Sequence, residues 1–342
     1  MDRRSRKKSG RRSAVRSTAS HASNPNPEQH APRKPRTGKR ILIVALSTVT
    51  FCLVALVVTA ALLYSSLNNR ITVSEIPEAL SGTLKSPADE AFTLAIFGTD
   101  TRDPSERGLT DVVILAQIDP VNQQSWLVSI HRDTRVAASG QRTIRVNEAY
   151  YYGGPNMAIQ AVKDITGQDV DHFLKINFWG FADIIDAMGG IYVDVPIAIN
   201  DRRADFTEDR RASRIEPGFQ NLDGAHALTL VRHRDGYDDA TFGRIRTQEM
   251  FFRALIEQMG EVPLTRLPEI AWALADNTST SLTLYELAQV AQEMRGVEDD
   301  NFHTILLPGE WAYPFTWLDE EGAAEVWQDF GVRPFTFEPD EE

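Results

Sequence analysis

An uncharged apolar run near the start of the chain limits its architecture more than any other feature. Residues 41–64 contain no Asp, Glu, Lys or Arg, and 40 residues precede them. At about 1.5 Å per residue, a helix of this length spans about 36 Å, which exceeds the roughly 30 Å hydrocarbon core of a bilayer. A signal peptide has a shorter apolar core, of about 7–15 residues, behind a short basic segment. The run therefore predicts one uncleaved transmembrane helix at 41–64.

Charge is divided unevenly between the two sides of this run. Residues 1–40 carry 13 basic and two acidic side chains, and the 278 residues after the run carry 23 basic and 46 acidic ones, for a total net charge of −12. Basic residues mark the cytoplasmic flank of a membrane helix. We therefore predict a single-pass protein of the cell membrane, with its N-terminus in the cytoplasm and its main domain extracytoplasmic. Such an acidic domain argues against nucleic-acid binding, and a single cysteine, Cys52, excludes a disulfide scaffold.

Composition divides the chain into five segments. The basic leader at 1–40 is rich in Arg, Ser and Pro and too polar to fold by itself. We interpret it as a disordered topology signal, with electrostatic contact to anionic lipid as the alternative. After the span, composition indicates a juxtamembrane linker at 65–90, one extracytoplasmic domain at 91–335 and an acidic tail at 336–342.

Strand and helix patterns alternate through the main domain. Strands are predicted at 92–98, 111–119, 124–130, 172–178, 191–196 and 302–307. Helices are predicted at 155–166, 181–188, 222–230, 243–259, 283–294 and 323–330. Between the fifth strand and residue 221 we expect a solvated, charged loop. This order predicts an α/β domain with a central mixed sheet flanked by helices.

Two aspartates stand at the ends of neighbouring strand patterns. Asp100 lies just after the first strand, in Gly98-Thr-Asp-Thr-Arg102, and Asp111 opens the second. Carboxylates placed in this way can converge at one edge of a sheet, where they offer the hard oxygen ligands that Mg²⁺ prefers. Aspartate beside a turn also serves as a turn or capping residue. The pair by itself leaves both interpretations open.

Arginines form the second group of candidate site residues. The side chains concerned are Arg132, after the third strand, and Arg232, Arg234, Arg244 and Gln248, around the predicted helices. Guanidinium groups match phosphate oxygens, but ion pairs with neighbouring acids such as Asp133 use the same groups. In an acidic domain this clustering indicates either an anionic ligand or local charge neutralisation. We interpret the adjacent His131 and His233 as incidental.

Six short motifs follow one another in a fixed order. They are Gly98-Thr-Asp-Thr-Arg102, Leu109-Thr-Asp-Val112, Ile130-His-Arg-Asp-Thr134, Asn147-Glu-Ala-Tyr-Tyr-Tyr-Gly-Gly154, Asp186-Ala-Met-Gly-Gly-Ile191 and Leu222-Asp-Gly-Ala-His-Ala-Leu-Thr-Leu-Val-Arg-His-Arg234. Each one alone is weak. Together they resemble the LytR-CpsA-Psr family of cell-wall glycopolymer ligases, which also has a single span and an outer domain.

The resemblance implies a fold, an activity and a set of site residues. It implies a single LytR-CpsA-Psr domain that acts as a phosphotransferase, moving a glycopolymer from an undecaprenyl-pyrophosphate carrier to peptidoglycan in cell wall biogenesis. By this resemblance Asp100 and Asp111 would hold Mg²⁺, with Mn²⁺ as an alternative, and would form the catalytic group with Arg132. The pyrophosphate would be bound by Arg102, Arg132, Arg232, Arg234, Arg244 and Gln248. An apolar slot between sheet and helices would take the lipid tail.

The chain departs from the family pattern at five positions. These are Leu109 for Arg, Val112 for Thr, His131 for Pro, Thr241 for an acid and Thr247 for Arg. Arg107 and Arg246 lie close enough in sequence to be candidate substitutes. We favour a remodelled transferase over a protein that only binds or hydrolyses polyprenyl pyrophosphate. A membrane-bound transcriptional attenuator is the third interpretation, disfavoured because the leader has no helix-turn-helix pattern.

Overall fold

The structure, a computed structural model, describes residues 37–80, 85–87, 90–101, 106–138, 142–233, 236, 240–259, 261–295 and 297–329. The chain divides into two compact units, 1–57 and 58–342. Within the described residues, one helix is long and apolar enough to cross a membrane by length and composition, at Cys52–Ile71. This stretch is part of the longer helix α1, Thr37–Ile71. The span predicted at 41–64 also lies within α1.

The second unit alternates short strands with helices. The strands are β1 Phe92–Thr99, β2 Thr110–Asp119, β3 Gln124–Ile130, β4 Arg135–Ala138, β5 Arg142–Arg145, β6 His172–Asn177, β7 Ile191–Val195, β8 Ile199–Asn200, β9 Arg214–Ile215, β10 Gly218–Leu222, β11 Thr278–Thr280, β12 Phe302–Leu306, β13 Gly309–Ala312 and β14 Phe315–Leu318. The helices are α2 Val146–Thr166, α3 Phe178–Met188, α4 Gly224–Arg232, α5 Ala240–Met259, α6 Leu267–Asn277, α7 Leu284–Arg295 and α8 Glu320–Asp329.

Six strands form the central sheet, in the order β11-β6-β1-β2-β3-β12. β1 runs parallel to β6, and β3 runs parallel to β12. The pairs β1–β2, β2–β3 and β6–β11 are antiparallel. The prediction of an α/β domain with a central mixed sheet is therefore confirmed. Because of these directions, β1, β3, β6 and β12 end at the same edge of the sheet at which β2 begins.

Helices cover both faces of the sheet. Because side chains alternate along a strand, successive residues supply two separate cores. On one face, strand residues such as Phe97 and Val128 pack with Ile159 of α2 and Trp327 of α8. On the other face the sheet packs against α5 and α7, through residues that include Leu94, Ile114, Leu127, Met294 and Phe252. The domain is therefore a helix–sheet–helix layered structure.

A third core joins the helices that stand over one end of the sheet. It contains Ile185 of α3, Ile191 of β7, Leu222 of β10, Leu230 of α4 and Phe251 of α5. These residues hold α3, α4 and α5 together as one packed group beside the sheet. The position of this group determines where the C-terminal end of α4 lies.

Two of the sequence motifs explain how α4 is attached to α3. The Asp186 carboxylate accepts a hydrogen bond from the Gly224 amide at 2.7 Å. A Cβ at position 224 would collide with the backbone of Ala182, so only glycine allows the two helices to approach this closely. The contact fixes α4, whose last residue is Arg232.

The predicted strands and helices occur in the predicted order. The structure adds elements that were not predicted, namely β4, β5, β8, β9, β10, β11, β13, β14 and α6. Three regions also differ from their expected form. The helix predicted at 155–166 starts earlier, because α2 has two segments joined at Gly154, where φ is 63° and ψ is −155°. The loop expected to be solvated before residue 221 contains the pair β8–β9 and buried residues such as Ala204 and Asp205. Part of the 65–90 segment packs on the domain, since Ala79 and Leu80 belong to the α2 core. The domain boundaries themselves stay predictions.

Candidate active site

A cavity of about 440 Å³ lies between the sheet and the helices α3, α4 and α5. Its apolar lining comes from Ile96, Val112, Val113, Ile114, Ile130, Ile176, Phe178, Phe181, Leu228, Val231, Phe251, Phe252 and Leu306. Its polar lining comes from Asp111, Ser129, His131, Arg132, Asp201, Arg203, Arg232 and Gln248. The cavity therefore combines a largely hydrocarbon wall with a charged border at the sheet edge described above.

Strand register places the two predicted aspartates on either side of one cross-strand pair. Thr99 at the end of β1 pairs with Thr110 at the start of β2, after a local irregularity at Gly98. Asp100 and Asp111 each come one residue later in sequence and so flank this pair. Glycine is needed at 98, because a Cβ there would lie 2.9 Å from Cβ of Val112 on the neighbouring strand.

The charge of Asp111 acts directly on Asp100. Burial first, and then the Asp111 carboxylate, raise the pKa of Asp100 above its ordinary value, although Arg232 acts in the opposite direction. Like charges disfavour the ionised form when they are close together. The Asp111 carboxylate is therefore close enough to Asp100 to add to the effect of burial.

Arg132 extends from the end of β3 to the same place. Its Nη1 donates to Asp111 Oδ1 at 2.9 Å, and its Nε lies 3.7 Å from Asp133 Oδ2. Within the described part of the chain, Nε is buried and has no hydrogen-bond partner. About a third of the side chain is exposed, 36%. The guanidinium is therefore oriented by Asp111 and retains donor capacity toward the cavity.

Backbone carbonyls orient the two polar residues from the helices. Arg232 Nη1 donates to the Ala204 carbonyl at 3.1 Å, and its Cζ stands 5.0 Å from the centre of the Phe178 ring. Gln248 Nε2 donates to the Val231 carbonyl at 3.1 Å. These contacts hold an arginine and an amide at the cavity.

The structure brings together five of the eight residues predicted for the site. Asp111, Arg132, Arg232 and Gln248 line the cavity, and Asp100 adjoins Asp111. Arg102 and Arg234 lie outside the described residues. Arg244 lies on α5, but its side chain lies outside what the structure describes, as do the side chains of Thr241 and Arg246. The functional roles of all eight stay predictions.

Arg107 lies beside the Asn147–Gly154 motif. A Cβ on Gly154 would come within 3.6 Å of the Arg107 guanidinium carbon, and Arg107 also acts on Tyr150. Burial raises the pKa of Tyr150 to about 12, against an opposing effect of Arg107. The phenol of Tyr150 is therefore neutral at physiological pH and serves chiefly as a buried packing group in this motif.

His131, which we interpreted as incidental, connects two parts of the structure. The Asp133 amide lies 3.3 Å from His131 Nδ1, and Thr316 Oγ1 lies 2.9 Å from the same nitrogen. An amide can only donate, so Nδ1 is the acceptor and the Thr316 hydroxyl donates to it as well. A proline at 131 would lack this contact, which attaches the β13–β14 hairpin to the segment that carries Arg132.

The sequence did not reveal a buried aspartate–histidine pair at the wall of the cavity. Asp201 Oδ2 lies 3.0 Å from His233 Nδ1, and Asp201 Oδ1 accepts from the amides of Arg203 and Ala204. Burial alone would raise the pKa of Asp201, but the hydrogen bonds from His233, Ala204 and Arg203 outweigh it and lower the pKa. The Asp201–His233 pair therefore links two elements. One is the turn at 201–204, whose Ala204 carbonyl accepts a hydrogen bond from Arg232, and the other is the end of α4. No short-range pattern links two residues that lie 32 apart.

Replacing Asp201 with asparagine should lower the free energy of unfolding at neutral pH by about 1–2 kcal/mol, because hydrogen bonds to a charged acceptor are lost. The lowered pKa means that the carboxylate stabilises the fold above the ordinary Asp value of about 3.9, and that this contribution disappears as the pH falls through the lowered value. The difference between wild type and Asp201→Asn should therefore shrink below about pH 4. Urea unfolding of the detergent-solubilised chain measures it, with exposed Asp194→Asn as the control. An equal difference at all pH values would contradict the assignment.

Comparison with known proteins identifies the family. The sequence profile described as the LytR_cpsA_psr family matches residues 63–328, most of the chain. The chain belongs to the LytR_cpsA_psr family. The predicted resemblance is thereby confirmed. The motifs quoted above lie inside the matched region, so the cavity and its charged border are features of this family's domain in the present chain.

Relatives in this family carry a named activity. The chain is 29% identical over 276 residues to the polyisoprenyl-teichoic acid–peptidoglycan teichoic acid transferase TagU of Halalkalibacterium halodurans, covering 78% of this chain and 86% of that protein. It is 26% identical over 264 residues to the transferase of the same name from Enterococcus faecalis, covering 75% of this chain and 84% of that one. The crystal structure of TagV from B. subtilis superposes with a TM-score of 0.58 at 26% identity, covering 70% of this chain and 95% of that chain.

Proposed function

We propose that this protein is a membrane-anchored phosphotransferase that moves a glycopolymer from a polyprenyl-pyrophosphate carrier to peptidoglycan during cell wall biogenesis. The observation that carries the proposal is the cavity, which places an apolar slot directly behind a border of Arg132, Arg232, Asp111 and Gln248. A ligand that fits both parts has a long hydrocarbon tail and an anionic head. The relatives described above are named for a reaction with such a donor.

The apolar wall suits a polyprenyl chain. It is formed by aliphatic and aromatic side chains from the sheet and three helices, and burial of each methylene group contributes about 0.8 kcal/mol. The charged border then lies where the tail ends and the pyrophosphate begins. In the proposed complex the reacting phosphorus would lie at the sheet edge, near Arg132.

The arginines would bind the phosphates and neutralise charge that develops during transfer. In the reaction, a peptidoglycan hydroxyl oxygen bonds to the phosphorus that carries the glycan. The bond from that phosphorus to the bridging oxygen breaks, polyprenyl phosphate leaves with the electron pair, and the hydroxyl proton passes to water. Arg132 is oriented for this by Asp111, and Arg232 is oriented by the Ala204 carbonyl. These fixed donors need little rearrangement when the charge moves.

Asp100 and Asp111 are the residues that we propose to hold Mg²⁺, or Mn²⁺ as the alternative. The donor set fits: Mg²⁺ is commonly held by one or two carboxylates, with substrate phosphates and waters as its other ligands. The raised pKa of Asp100 beside Asp111 marks a place where a cation would relieve repulsion. When bound, the ion would add charge neutralisation on the pyrophosphate.

The proposal also includes the membrane topology. It has a membrane span at 41–64, a cytoplasmic N-terminus and an extracytoplasmic domain, so that the site would lie on the outer side of the bilayer.

The metal assignment predicts a linked dependence on pH and Mg²⁺. Because its pKa is raised, Asp100 becomes protonated at a higher pH than an ordinary aspartate does. Transfer should slow as Asp100 becomes protonated. Mg²⁺ binds only the ionised form and competes with the proton. Raising the Mg²⁺ concentration should therefore move the acidic midpoint of the rate profile to lower pH.

The experiment uses the full chain in nanodiscs, a polyprenyl-pyrophosphate glycan donor and peptidoglycan fragments. Transfer at full rate in excess chelator, or an acidic midpoint that Mg²⁺ does not move, would contradict the metal assignment. Donor binding without any transfer, with and without Mg²⁺, would favour a non-catalytic binder.

A further inference from the structure

Three aromatic side chains project from the β13–β14 hairpin into solvent. Trp311 is 61% exposed, Tyr313 is 85% exposed and Trp317 is 47% exposed. The rings of Trp311 and Tyr313 stand edge to face with their centroids 6.3 Å apart. Exposed aromatic rings in a group mark a binding surface, because each is costly to leave in water. The cavity and its arginines make no use of them.

The hairpin is continuous with the border of the cavity. Leu306 lines the cavity and ends β12, and β13 begins three residues later at Gly309. The Thr316 amide donates to the Asp133 carbonyl at 2.8 Å, and the Thr316 hydroxyl contacts His131. The hairpin is therefore attached on both strands to elements that form the site, immediately beside Arg132.

Register places Trp311 on the side that faces the site. Trp311 pairs with Thr316 across the hairpin, and directly paired residues of antiparallel strands have their side chains on the same face, about 5 Å apart. Since the Thr316 side chain contacts His131, Trp311 stands on that face too. Trp317 lies on the other face, where the Arg135 guanidinium is 4.8 Å from the centre of its ring.

The charges around the hairpin indicate what it binds. Glu310, Asp319, Glu320 and Glu321 are all exposed in the hairpin and the turn that follows. These carboxylates repel a polyanionic polymer or an anionic lipid surface, because such ligands bind to basic residues. Neutral sugars meet no such opposition. The C–H face of a pyranose packs on an aromatic ring, and indole and phenol groups donate to acetamido carbonyls.

We propose that the β13–β14 hairpin binds the N-acetylated sugars of the peptidoglycan glycan strand and so presents the acceptor to the site. This rests on the proposed function for the identity of the acceptor. The glycan lies on Trp311 and Tyr313, one cross-strand step from His131, and its hydroxyl then reaches the phosphorus held at Arg132. The aromatic rings act in acceptor binding and leave donor binding to the cavity.

The test uses the full chain in nanodiscs and a soluble β-1,4-linked N-acetylglucosamine hexamer as probe, titrated by calorimetry. Removing one stacked ring should weaken binding about three- to tenfold, and the double variant Trp311→Ala/Tyr313→Ala at least about tenfold. Trp311→Phe should keep most of the affinity. The matched control is Tyr192→Ala/Phe219→Ala, which removes a second pair of exposed, contacting rings, with centroids 5.9 Å apart, on β7 and β10. It should bind the probe like the wild type.

Three results would overturn the proposal. The first is no binding of the hexamer by the wild type, and the second is equal binding by the hairpin double variant. The third is quenching of tryptophan fluorescence by brominated phospholipid in the wild type but not in Trp311→Phe, which would show that the hairpin contacts the bilayer. Donor binding is measured on the same samples. It shows that each variant is folded, and it distinguishes a failure of the hairpin site from a failure of the proposed function. Hexamer binding without donor binding would contradict only the function, and donor transfer without hexamer binding only the hairpin site.

Discussion

Replacing Arg132 with alanine should lower the rate of glycopolymer transfer by about two to three orders of magnitude, the usual effect of removing one donor that stabilises charge in a transition state. Arg132 is expected to act at the phosphorus, because Asp111 orients it at 2.9 Å and, within the described residues, its buried Nε has no hydrogen-bond partner. The loss should appear in kcat/KM, measured as glycan linked to peptidoglycan by the full chain in nanodiscs.

Stability separates a catalytic role for Arg132 from a structural one. The Arg132–Asp111 pair is partly exposed, with side-chain exposures of 36% and 24%, so its loss should cost about 1 kcal/mol or less. Arg132→Lys keeps the charge but not the two-pronged geometry and should recover only part of the rate. Arg214→Ala, an exposed arginine on β9, is the control and should transfer normally. An Arg132→Ala variant with at least half the wild-type rate would contradict the assignment.

Filling the apolar cavity from the sheet should strongly weaken the binding of long polyprenyl donors. Ser129 pairs with Ile114 across β2 and β3, and both residues line the cavity. In Ser129→Phe, a ring in this space would exclude three to four methylene groups, at about 0.8 kcal/mol each. The affinity for a long-chain donor should therefore fall by about a hundredfold.

Chain length provides the internal control for this prediction. A donor with the same headgroup and a tail too short to reach Ser129 should bind Ser129→Phe and the wild type equally. Gln124→Phe adds the same ring at the exposed start of the same strand and should leave both affinities unchanged. Equal losses of affinity for short and long donors would show that the substitution disturbs the headgroup site. An unchanged affinity for the long-chain donor would show that the lipid tail does not bind in this cavity.

The sheet and its charged edge were predictable because their signals are local. The apolar alternation of β1, β2 and β3 is strong, and the chemistry-bearing residues Asp100, Asp111 and Arg132 stand at strand ends within short motifs. Parallel and antiparallel neighbours then bring such ends to one edge of the sheet. The prediction needed only the order of elements, which tertiary contacts did not override.

Other elements gave no local signal. β11 has only three residues, all of them Thr or Ser, and all four residues of β13 are exposed. Neither sequence therefore shows the alternation of apolar and polar residues that marks a half-buried strand. The first half of α2 was missed because Gly154 and Pro155 indicate a helix start, which is correct for the second segment only. Asp201 and His233 meet through folding of the segment between them. Such contacts depend on tertiary structure that no motif of one chain encodes.

The most direct test of the central claim is the product balance of a single reaction. The full chain in nanodiscs is given a donor labelled in both glycan and lipid, together with peptidoglycan, and both products are followed by mass spectrometry. One polyprenyl phosphate should be released for each glycan that becomes joined to peptidoglycan through a phosphodiester. Release of polyprenyl phosphate with the glycan phosphate free in solution, or donor that stays bound and intact, would contradict it.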